Sequence, residues 1–297
     1  MRERKKSGFI TPELVAAYRE TGYLIYPKAL TEEEVEELRL DTVRLCRWEY
    51  GEIHGSLPPQ PGESDEDLLC RHLCIHFPHK VSPVTYKYLA HPSIVETLTQ
   101  VISPNVKCMQ SMLFIKAAGM PGQAWHQDED YIPTRDRSLT GAWIAMDDAT
   151  VRNGCLWVIP GSHRHGVLWP QRIQRDKRFD CAWESYRFPY TQSDEVPVEV
   201  EAGAIVFFHG YLLHRSLPNT LQTGYRRALV NHYMSAESLL PWGRAENGTG
   251  VAIFDYRDIV LIAGADPYPW KGIEDHHRPH LRPTGKGGCA DTGAKEQ

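Results

Sequence analysis

The chain has 297 residues, of which 41% are hydrophobic, and its formal net charge is -5 at pH 7. Such a charge gives no sign of a nucleic-acid partner or of binding to an anionic membrane surface. No stretch approaches the roughly 18 uninterrupted apolar residues of a transmembrane helix, and no apolar signal region follows the charged N-terminus. Seven scattered cysteines without a Cys-x-x-Cys pair argue against a disulfide framework. We therefore expect a cytoplasmic protein with no membrane partner, either a monomer or a weak homodimer.

The first third of the chain is predicted to be mainly helical. Thr11 and Thr31 have the sequence context of helix N-caps, and the second is followed by a glutamate that would complete a capping box. A third helix is expected over about residues 92–102. A short apolar run at residues 23–26 predicts a strand, and residues 51–66, rich in Gly, Pro, Ser and acidic side chains, predict a loop.

From about residue 106 onwards the pattern changes to short apolar or alternating runs, separated by clusters of Gly, Pro, Asn and Asp. Six of these runs are predicted strands, at residues 106–116, 141–146, 155–159, 196–200, 204–208 and 226–234. Their spacing favours an antiparallel sandwich or barrel over βαβ units. Residues 160–195 interrupt the series with a long polar and aromatic segment. Loops of this length usually cover a site, so we expect a lid.

No linker separates the helical part from the predicted sheet, which favours a single domain over residues 1–297. Within it we expect a mainly helical part over 1–105, a β core over about 106–235 and a C-terminal extension over 236–275. The remaining residues, 276–297, are rich in Gly, Lys and Pro and are predicted to be disordered.

The strongest local signal is the triplet His126-Gln127-Asp128. In an extended segment, residues two apart point to the same face, so this imidazole and this carboxylate can converge on one point. A second histidine, His214, follows the predicted strand at 204–208, and His209 is the alternative to it. Two imidazoles and one carboxylate leave coordination positions open, which suits Fe(II) oxygen chemistry, whereas structural zinc sites use four protein ligands.

A candidate anion-binding residue, Arg226, follows His214 across a predicted turn and begins the last predicted strand. The planar guanidinium matches both oxygens of a carboxylate, such as the distal carboxylate of a five-carbon oxoacid. Arg227 points to the opposite face of the strand, and the pattern alone leaves either arginine as the inward one. His163 and His165 lie in a predicted tight turn and are interpreted as structural.

Several motifs occur in order along the chain: Met112-Leu-Phe-Ile-Lys116, His126-Gln-Asp128, Ala142-Trp-Ile-Ala-Met146, Asn153-Gly-Cys-Leu-Trp-Val-Ile-Pro-Gly-Ser-His163, and His214-Arg-Ser216 with Gly224-Tyr-Arg226. Over about residues 10–240 this series resembles the phytanoyl-CoA dioxygenase family. The resemblance implies a mainly β fold, with a double-stranded β-helix core of the jelly-roll, cupin-like type and flanking α-helices. It also implies a catalytic Fe(II) ion held by His126, Asp128 and His214, with 2-oxoglutarate as cosubstrate and O2 as oxidant.

The same resemblance implies five residues of the cosubstrate pocket. Arg226 would anchor the distal carboxylate of 2-oxoglutarate, and Ser216 would donate a hydrogen bond to it. Trp143 and Met112 match positions that line the pocket. Lys80 is the candidate for a family lysine upstream of the first core strand.

The predicted function is an Fe(II)- and 2-oxoglutarate-dependent dioxygenase that hydroxylates a small molecule and releases succinate and CO2. Halogenases that resemble this family replace the metal-binding acid with a small residue, so the intact Asp128 favours hydroxylation. Two alternatives stay open: a cupin-like metalloenzyme that does not use 2-oxoglutarate, and a non-catalytic small-molecule-binding relative. The sequence does not distinguish an acyl-CoA substrate from other small molecules.

Overall fold

The computed structural model describes residues 8–180, 183–239 and 257–282. Its α-helices are α1 (Pro12–Thr21), α2 (Glu32–Cys46), α3 (Asp65–Cys70), α4 (Pro83–Leu89) and α5 (Pro92–Val101). Its strands are β1 (Tyr23–Tyr26), β2 (Cys74–His76), β3 (Val106–Ala117), β4 (Gln123–His126), β5 (Thr140–Ala145), β6 (Leu156–Val158), β7 (Gln171–Ile173), β8 (Trp183–Ser185), β9 (Val196–Val198), β10 (Ile205–His209), β11 (His214–Ser216), β12 (Tyr225–Ser235), β13 (Val260–Ala263) and β14 (His280–Leu281). Among the described helices, none combines the length and the apolar character needed to cross a lipid bilayer.

The predicted helix starts coincide with side-chain caps. Thr11 Oγ1 accepts a hydrogen bond from the backbone N–H of Leu14, and Thr31 forms the expected reciprocal capping box with Glu34. These bonds satisfy backbone donors that a first helical turn leaves without partners. Helices α3 and α4 were not predicted, because both are short and show little apolar periodicity.

Two antiparallel sheets form the core. The larger has the strand order β1-β10-β5-β12-β3-β2-β14, with β13 also pairing with β3, and the smaller has the order β4-β11-β6-β9. All six strands predicted after residue 106 are present, and their ends differ from the prediction by at most two residues. Strands β7 and β8 form a hairpin within the long insert. This is the predicted jelly-roll fold with flanking helices.

An apolar layer fills the space between the two sheets. The larger sheet contributes Trp143, Val206 and Val230, and the smaller sheet contributes Leu156 and Val198. Because side chains alternate along a strand, the neighbouring residues of the larger sheet point the other way. The last residue of β4, His126, and the first residue of β11, His214, are polar and belong to the candidate site.

The helices cover the outer face of the larger sheet. Ile144, Phe207 and Leu229 of β5, β10 and β12 belong to a second core cluster, which also contains Leu38 of α2 and Tyr88 of α4. The helical N-terminal part and the sheet therefore share one buried apolar layer. Burial on both faces explains why the strands of the larger sheet read as nearly continuous apolar runs.

The predicted disordered tail, residues 276–297, is wrong for its first part. Strand β14 pairs with β2, so that His280 lies opposite His76, and their rings stack with centroids 4.8 Å apart. Arg282 is only 1% exposed. Strand pairing and ring stacking fix this segment, and composition cannot reveal such long-range contacts. The rest of the tail lies outside the described residues.

Candidate metal centre and its pocket

Three side chains of the triplet and of β11 converge as predicted. His126 lies directly opposite His214 in the β4–β11 pair. The backbone of Gln127 is extended, with φ -128° and ψ 126°, so His126 and Asp128 point to the same side. One ligand atom from each of the three residues lies within 4.8 Å of the others. The Nε2 atoms of His126 and His214 are 3.6 and 3.5 Å from Asp128 Oδ1.

The backbone orients both imidazoles. Nδ1 of His126 lies 2.8 Å from the carbonyl oxygen of Ala124, and Nδ1 of His214 lies 2.9 Å from that of Leu212. A carbonyl oxygen can only accept, so each Nδ1 carries the proton and each Nε2 presents a lone pair. Histidines that bind metals are commonly fixed in this way. Two neutral imidazoles and one carboxylate are the donor set of an Fe(II) site with open positions.

The buried environment keeps these groups in the protonation states that bind metal. Burial, together with the neighbouring His214, lowers the pKa of His126 to about 3. Burial alone would raise the pKa of Asp128, but the surrounding histidines lower it well below its ordinary value. At neutral pH the site therefore offers a neutral imidazole beside an ionised carboxylate.

A further buried histidine, His232, was not predicted from the sequence. Its Nε2 lies 3.0 Å from Asp128 Oδ2, which is the carboxylate oxygen that faces away from His126 and His214. His232 is an even number of residues from Arg226 on the same strand, and both side chains line one cavity. The even spacing was the signal available in the sequence.

Arg226 occupies the other end of this cavity. It is 3% exposed, its guanidinium lies 5.4 Å from the ring centroid of Trp143, and its Nε has no hydrogen-bond partner within the described residues. Burial lowers its pKa to about 10, so it stays cationic at neutral pH. Arg227 points to the opposite face, where its Nε and Nη2 donate to Asp147 at 2.9 and 2.7 Å. Strand register thus brings Arg226 into the pocket and excludes Arg227.

Ser216 and Lys116 lie beside Arg226. Lys116 is the partner of Arg226 in the β3–β12 ladder, and its Nζ donates to Ser216 Oγ at 2.9 Å and to the carbonyl oxygen of Leu217 at 2.8 Å. Burial, with a contribution from Arg226, lowers the pKa of Lys116 well below its ordinary value. Lys116 was noted in the sequence only as part of a motif. Its even spacing from Met112 is what places both on the inner face.

The two predicted wall residues are also at the pocket. Met112 of β3 and Trp143 of β5 both lie opposite Val230 of β12, in adjacent strands at one level of the larger sheet. Both line the cavity that contains the three converging ligand residues. They form its apolar side.

The predicted role of Lys80 in cosubstrate binding is corrected by its position. Lys80 lies in a short 3-10 turn after β2, outside the set of cavity-lining residues. Its Nζ pairs with the buried carboxylate of Asp258 and, at 2.6 Å, with Asp275. Carboxylates from the C-terminal extension attract the ammonium away from the pocket, and nothing near Lys80 in the sequence indicates them.

The aromatic ring of Phe208 packs against the imidazole of His214. The ring centroid of Phe208 lies 4.8 Å from that of His214. Gly141 is the cross-strand partner of Phe208, and a Cβ at this glycine would lie 2.5 Å from the Phe208 ring. The alternative ligand His209 points elsewhere and contacts His163, with ring centroids 5.1 Å apart.

The middle residue of the triplet faces away from the metal site and fastens the long insert. Gln127 is 1% exposed; its Nε2 donates to the carbonyl oxygens of Val167 at 2.9 Å and Tyr211 at 2.8 Å. Its Oε1 accepts a hydrogen bond from the backbone N–H of Trp169 at 2.8 Å. The start of the insert is therefore tied to the strand that presents His126.

Residues 18–228 match the family model described as phytanoyl-CoA dioxygenase (PhyH). Phytanoyl-CoA dioxygenase 1 of Oryza sativa subsp. japonica is 35% identical over 163 residues, which cover 54% of this chain and 57% of that protein. Phytanoyl-CoA dioxygenase domain-containing protein 1 of Danio rerio is 26% identical over 272 residues, covering 77% of this chain and 91% of that protein. The chain thus spans just over half of the rice relative.

Solved structures show the same fold. CytC3 with Fe(II) and alpha-ketoglutarate is 21% identical, with a TM-score of 0.59, and the match covers 94% of this chain and 95% of that one. SnoK, a non-heme alpha ketoglutarate dependent carbocyclase from nogalamycin biosynthesis, is 25% identical, with a TM-score of 0.57 and coverage of 78% and 87%. These likenesses confirm the jelly-roll architecture.

Proposed function

The chain belongs to the phytanoyl-CoA dioxygenase family, and from that premise we propose that it is an Fe(II)- and 2-oxoglutarate-dependent dioxygenase. In the proposed reaction O2 is the oxidant: one oxygen atom enters a C–H bond of the small-molecule substrate as a hydroxyl group, and the other enters succinate as 2-oxoglutarate loses CO2. His126, Asp128 and His214 are the proposed iron ligands. Arg226 is the proposed anchor for the distal carboxylate of 2-oxoglutarate.

One observation carries this proposal: a single cavity is lined both by the three candidate ligands and by a buried arginine with unused hydrogen-bonding capacity. A buried donor without an acceptor is costly, because it has lost its water without gaining a partner. A ligand carboxylate would supply the acceptor that Arg226 Nε lacks. A molecule with a carboxylate at one end and a chelating oxoacid at the other fits both ends of the cavity, and 2-oxoglutarate is such a molecule.

The residues around the metal would fix its geometry. Bound Fe(II) would supply the oxidative chemistry, coupling decarboxylation of the oxoacid to insertion of oxygen into a C–H bond of the substrate. His126 and His214 keep their Nε2 lone pairs available because their Nδ1–H groups are held by backbone carbonyls. Asp128 is the only anionic member of the proposed ligand set.

The remaining pocket residues would hold the cosubstrate and exclude water. Arg226 supplies a planar pair of donors, and the Ser216 hydroxyl, which accepts from Lys116 Nζ, is left with its own proton to donate. Trp143 and Met112 line the cavity with apolar surface. Holding a flexible dicarboxylate at both ends restricts it to one orientation at the metal.

An anaerobic titration tests the proposal. The protein is loaded with Fe(II) under nitrogen, and its visible spectrum is recorded before and after 2-oxoglutarate is added. We expect a metal-to-ligand charge-transfer band only after the addition, because it requires chelation of the oxoacid. Succinate release in air, screened over a panel of small molecules, then identifies the substrate class.

Two variants sharpen this titration. Asp128→Ala should weaken iron binding and abolish succinate release, because it removes the only anionic ligand. Arg226→Ala should keep iron but require much more 2-oxoglutarate to develop the band. If the native protein binds iron and no band develops at any 2-oxoglutarate concentration, the cosubstrate is wrong and a cupin-like metalloenzyme becomes the better interpretation.

We also propose a cytoplasmic location and a monomeric or weakly dimeric state. The cysteines within the described ranges are unpaired, namely Cys46, Cys70, Cys74, Cys108 and Cys155, as is usual in a reducing compartment. Imaging of a fluorescent fusion tests the location, and sedimentation velocity tests the association state. A second species that grows with concentration would indicate the dimer.

A further inference from the structure

We propose that His232 is a positioning residue that holds Asp128 in monodentate orientation, so that only Oδ1 is available to the metal. This inference rests on the proposed iron site. It concerns the oxygen atom of Asp128 that the proposed ligand set does not use. The two carboxylate oxygens have different surroundings: Oδ1 faces Nε2 of His126 and of His214, at 3.6 and 3.5 Å, and Oδ2 is 3.0 Å from His232 Nε2.

The direction of the hydrogen bond follows from charge. The ordinary pKa of an aspartate is about 3.9, so Oδ2 of Asp128 belongs to a carboxylate at neutral pH and can only accept. His232 Nε2 therefore carries the proton and donates it. A nitrogen that donates a proton has no lone pair to offer a metal, which separates His232 from the two ligand histidines, whose Nε2 atoms are free.

His232 has no other described hydrogen bond that would explain its burial. It is 3% exposed, and its Nδ1 has no hydrogen-bond partner within the part of the chain that the structure describes. Burying that nitrogen without a partner has a free-energy cost, because it loses its hydrogen bond to water. The bond to Asp128 offsets this cost, so the contact with Asp128 is the polar reason for a histidine at this position.

The backbone is irregular at the point where it presents His232. The β12–β3 ladder shifts register between His232 and Tyr233. His232 pairs with Gln110 and Tyr233 with Cys108, so Met109 of β3 has no paired residue in β12. Such bulges re-aim the adjacent side chains and are common next to functional sites. On the other side, His232 lies opposite Gly141, and the Phe208 ring occupies the space that a side chain at Gly141 would need.

The consequence concerns the number of open positions at the metal. A carboxylate that binds through both oxygens occupies two positions and leaves one fewer for the cosubstrate. With Oδ2 engaged by His232, the three protein ligands would take three positions of a six-coordinate metal. The three that remain would be enough for a bidentate oxoacid and one further ligand.

The test compares His232→Phe, His232→Gln and His232→Asn with the native protein, using Co(II) as the probe. Phenylalanine removes the donor at similar volume; glutamine places an amide N–H near the position of Nε2, and asparagine is too short to reach Oδ2. His79→Phe is the matched control. It removes another buried histidine, one bonded to Ser111 Oγ at 2.5 Å and outside the cavity.

Two measurements are made on each variant. Loss of a residue that orients a metal ligand typically weakens metal binding by about 10–100-fold, and we expect this for His232→Phe and His232→Asn. His232→Gln should recover most of the affinity, and His79→Phe should bind Co(II) as the native protein does. The visible d–d spectrum of bound Co(II), which reports coordination number, should change in His232→Phe and His232→Asn and stay native in His232→Gln.

Native affinity together with a native spectrum in His232→Phe would overturn the inference. If that variant does not fold, equal behaviour of the glutamine and asparagine variants would overturn it, because only glutamine reaches Asp128. These readouts need no 2-oxoglutarate. A charge-transfer band that never develops in the native protein would instead count against the proposed function, and the two failures are therefore distinguishable.

Discussion

Lys116 donates a hydrogen bond from Nζ to Ser216 Oγ at 2.9 Å, deep in the cavity that also contains Arg226. Two basic side chains thus share one buried end of the pocket, on adjacent strands and in direct register. Burial and the neighbouring guanidinium both lower the pKa of the lysine. A bound carboxylate would reverse part of that shift, since a nearby anion favours the charged ammonium.

We therefore expect 2-oxoglutarate binding to take up protons through Lys116. The bound oxoacid raises the lysine pKa above its value in the free protein. Between these two pKa values binding takes up as much as about one proton, and affinity falls as pH rises through this window. Calorimetry of the Co(II)-loaded protein in two buffers of different ionisation enthalpy measures the uptake.

Lys116→Met should remove this pH dependence and also weaken binding. Lys107→Met is the matched control, because Lys107 is a buried lysine on the same strand whose Nζ bonds to backbone carbonyls away from the cavity. An unchanged proton uptake in Lys116→Met would assign the titration to another group.

The second prediction separates the two adjacent arginines of β12. Removing one partner of a buried, hydrogen-bonded charge pair costs about 2–5 kcal/mol, and about 1.4 kcal/mol is a tenfold change in affinity. Arg226→Ala should therefore raise the dissociation constant of 2-oxoglutarate on the order of 10²-fold or more. Arg226→Lys should recover only part, because an ammonium lacks the planar pair of donors.

Arg227→Ala should leave that constant near the native value, because Arg227 pairs with Asp147 on the other face. Equilibrium titration of each folded variant provides the measurement, with circular dichroism to verify folding. A large loss in Arg227→Ala with native affinity in Arg226→Ala would mean that the wrong arginine has been assigned.

The third prediction concerns Lys80, which we expect to matter for stability and not for cosubstrate binding. Its partner Asp258 has a side chain that is 1% exposed. Lys80→Met leaves a buried carboxylate short of one donor, which should lower the free energy of unfolding by about 1–3 kcal/mol. Lys87→Met is the control; its pair with Glu37 is exposed, so the expected loss is about 0–1 kcal/mol.

The pH dependence of this pair has a definite sign. Burial would raise the pKa of Asp258, but hydrogen bonds from His277 and Lys80 lower it below its ordinary value. The resulting stabilisation is present above the ordinary aspartate pKa, about 3.9, and is lost as pH falls towards the folded value. Urea unfolding at pH 7 and at several pH values below about 3.9 measures both effects. A tenfold loss of 2-oxoglutarate affinity in Lys80→Met would restore the original assignment.

The fourth prediction concerns the long insert over residues 160–195, which we expect to be fixed at its start and to become ordered around the β7–β8 hairpin when the site fills. Gln127 fastens the segment at Val167 and Trp169. The connection between β7 and β8 is held more lightly, by two backbone hydrogen bonds of Gly122, which donates to the carbonyl oxygen of Arg178 at 2.7 Å and accepts from the N–H of Asp180 at 2.9 Å. Hydrogen exchange should show protection at Trp169 in all states. The hairpin should gain protection only when cosubstrate and substrate bind.

Gln127→Leu should speed exchange at the Trp169 amide, because that amide loses its acceptor. Gln127→Glu keeps an acceptor at the same place and should preserve much of the protection at Trp169. Strong protection of the whole insert in the free protein would show that the segment is a fixed part of the scaffold.

Most of the strand pattern and the converging residues could be predicted from sequence, because they depend on local rules. Alternation along an extended segment was sufficient to place His126 beside Asp128 and to put Arg226 and Arg227 on opposite faces, although it left open which arginine points inward. The capping residues of α1 and α2 act within one helical turn. Each of these relationships spans a few residues, where backbone geometry alone decides which side chains share a face.

Apart from the two short helices α3 and α4, the errors and omissions involve partners far apart in the chain. Lys80 is held by Asp258, His232 bonds to Asp128, and β14 pairs with β2. No local sequence pattern predicts such pairs, because they depend on which strands become neighbours in the folded sheet. His232 and Lys116 were recoverable in part, because both share the alternation of residues already assigned to the pocket.

The outermost strands of the larger sheet are the first and last described strands of the chain, since β1 pairs with β10 and β14 pairs with β2. Topologies dominated by such non-local pairs fold slowly, because loop-closure entropy is lost before the contacts form. During synthesis, one edge of β2 lacks its partner strand until Leu281, the last residue of β14, has been synthesised and has left the ribosome. Until then an unpaired edge is exposed to other chains. Expression conditions that slow initiation or add chaperone capacity should therefore favour the folded protein over aggregates.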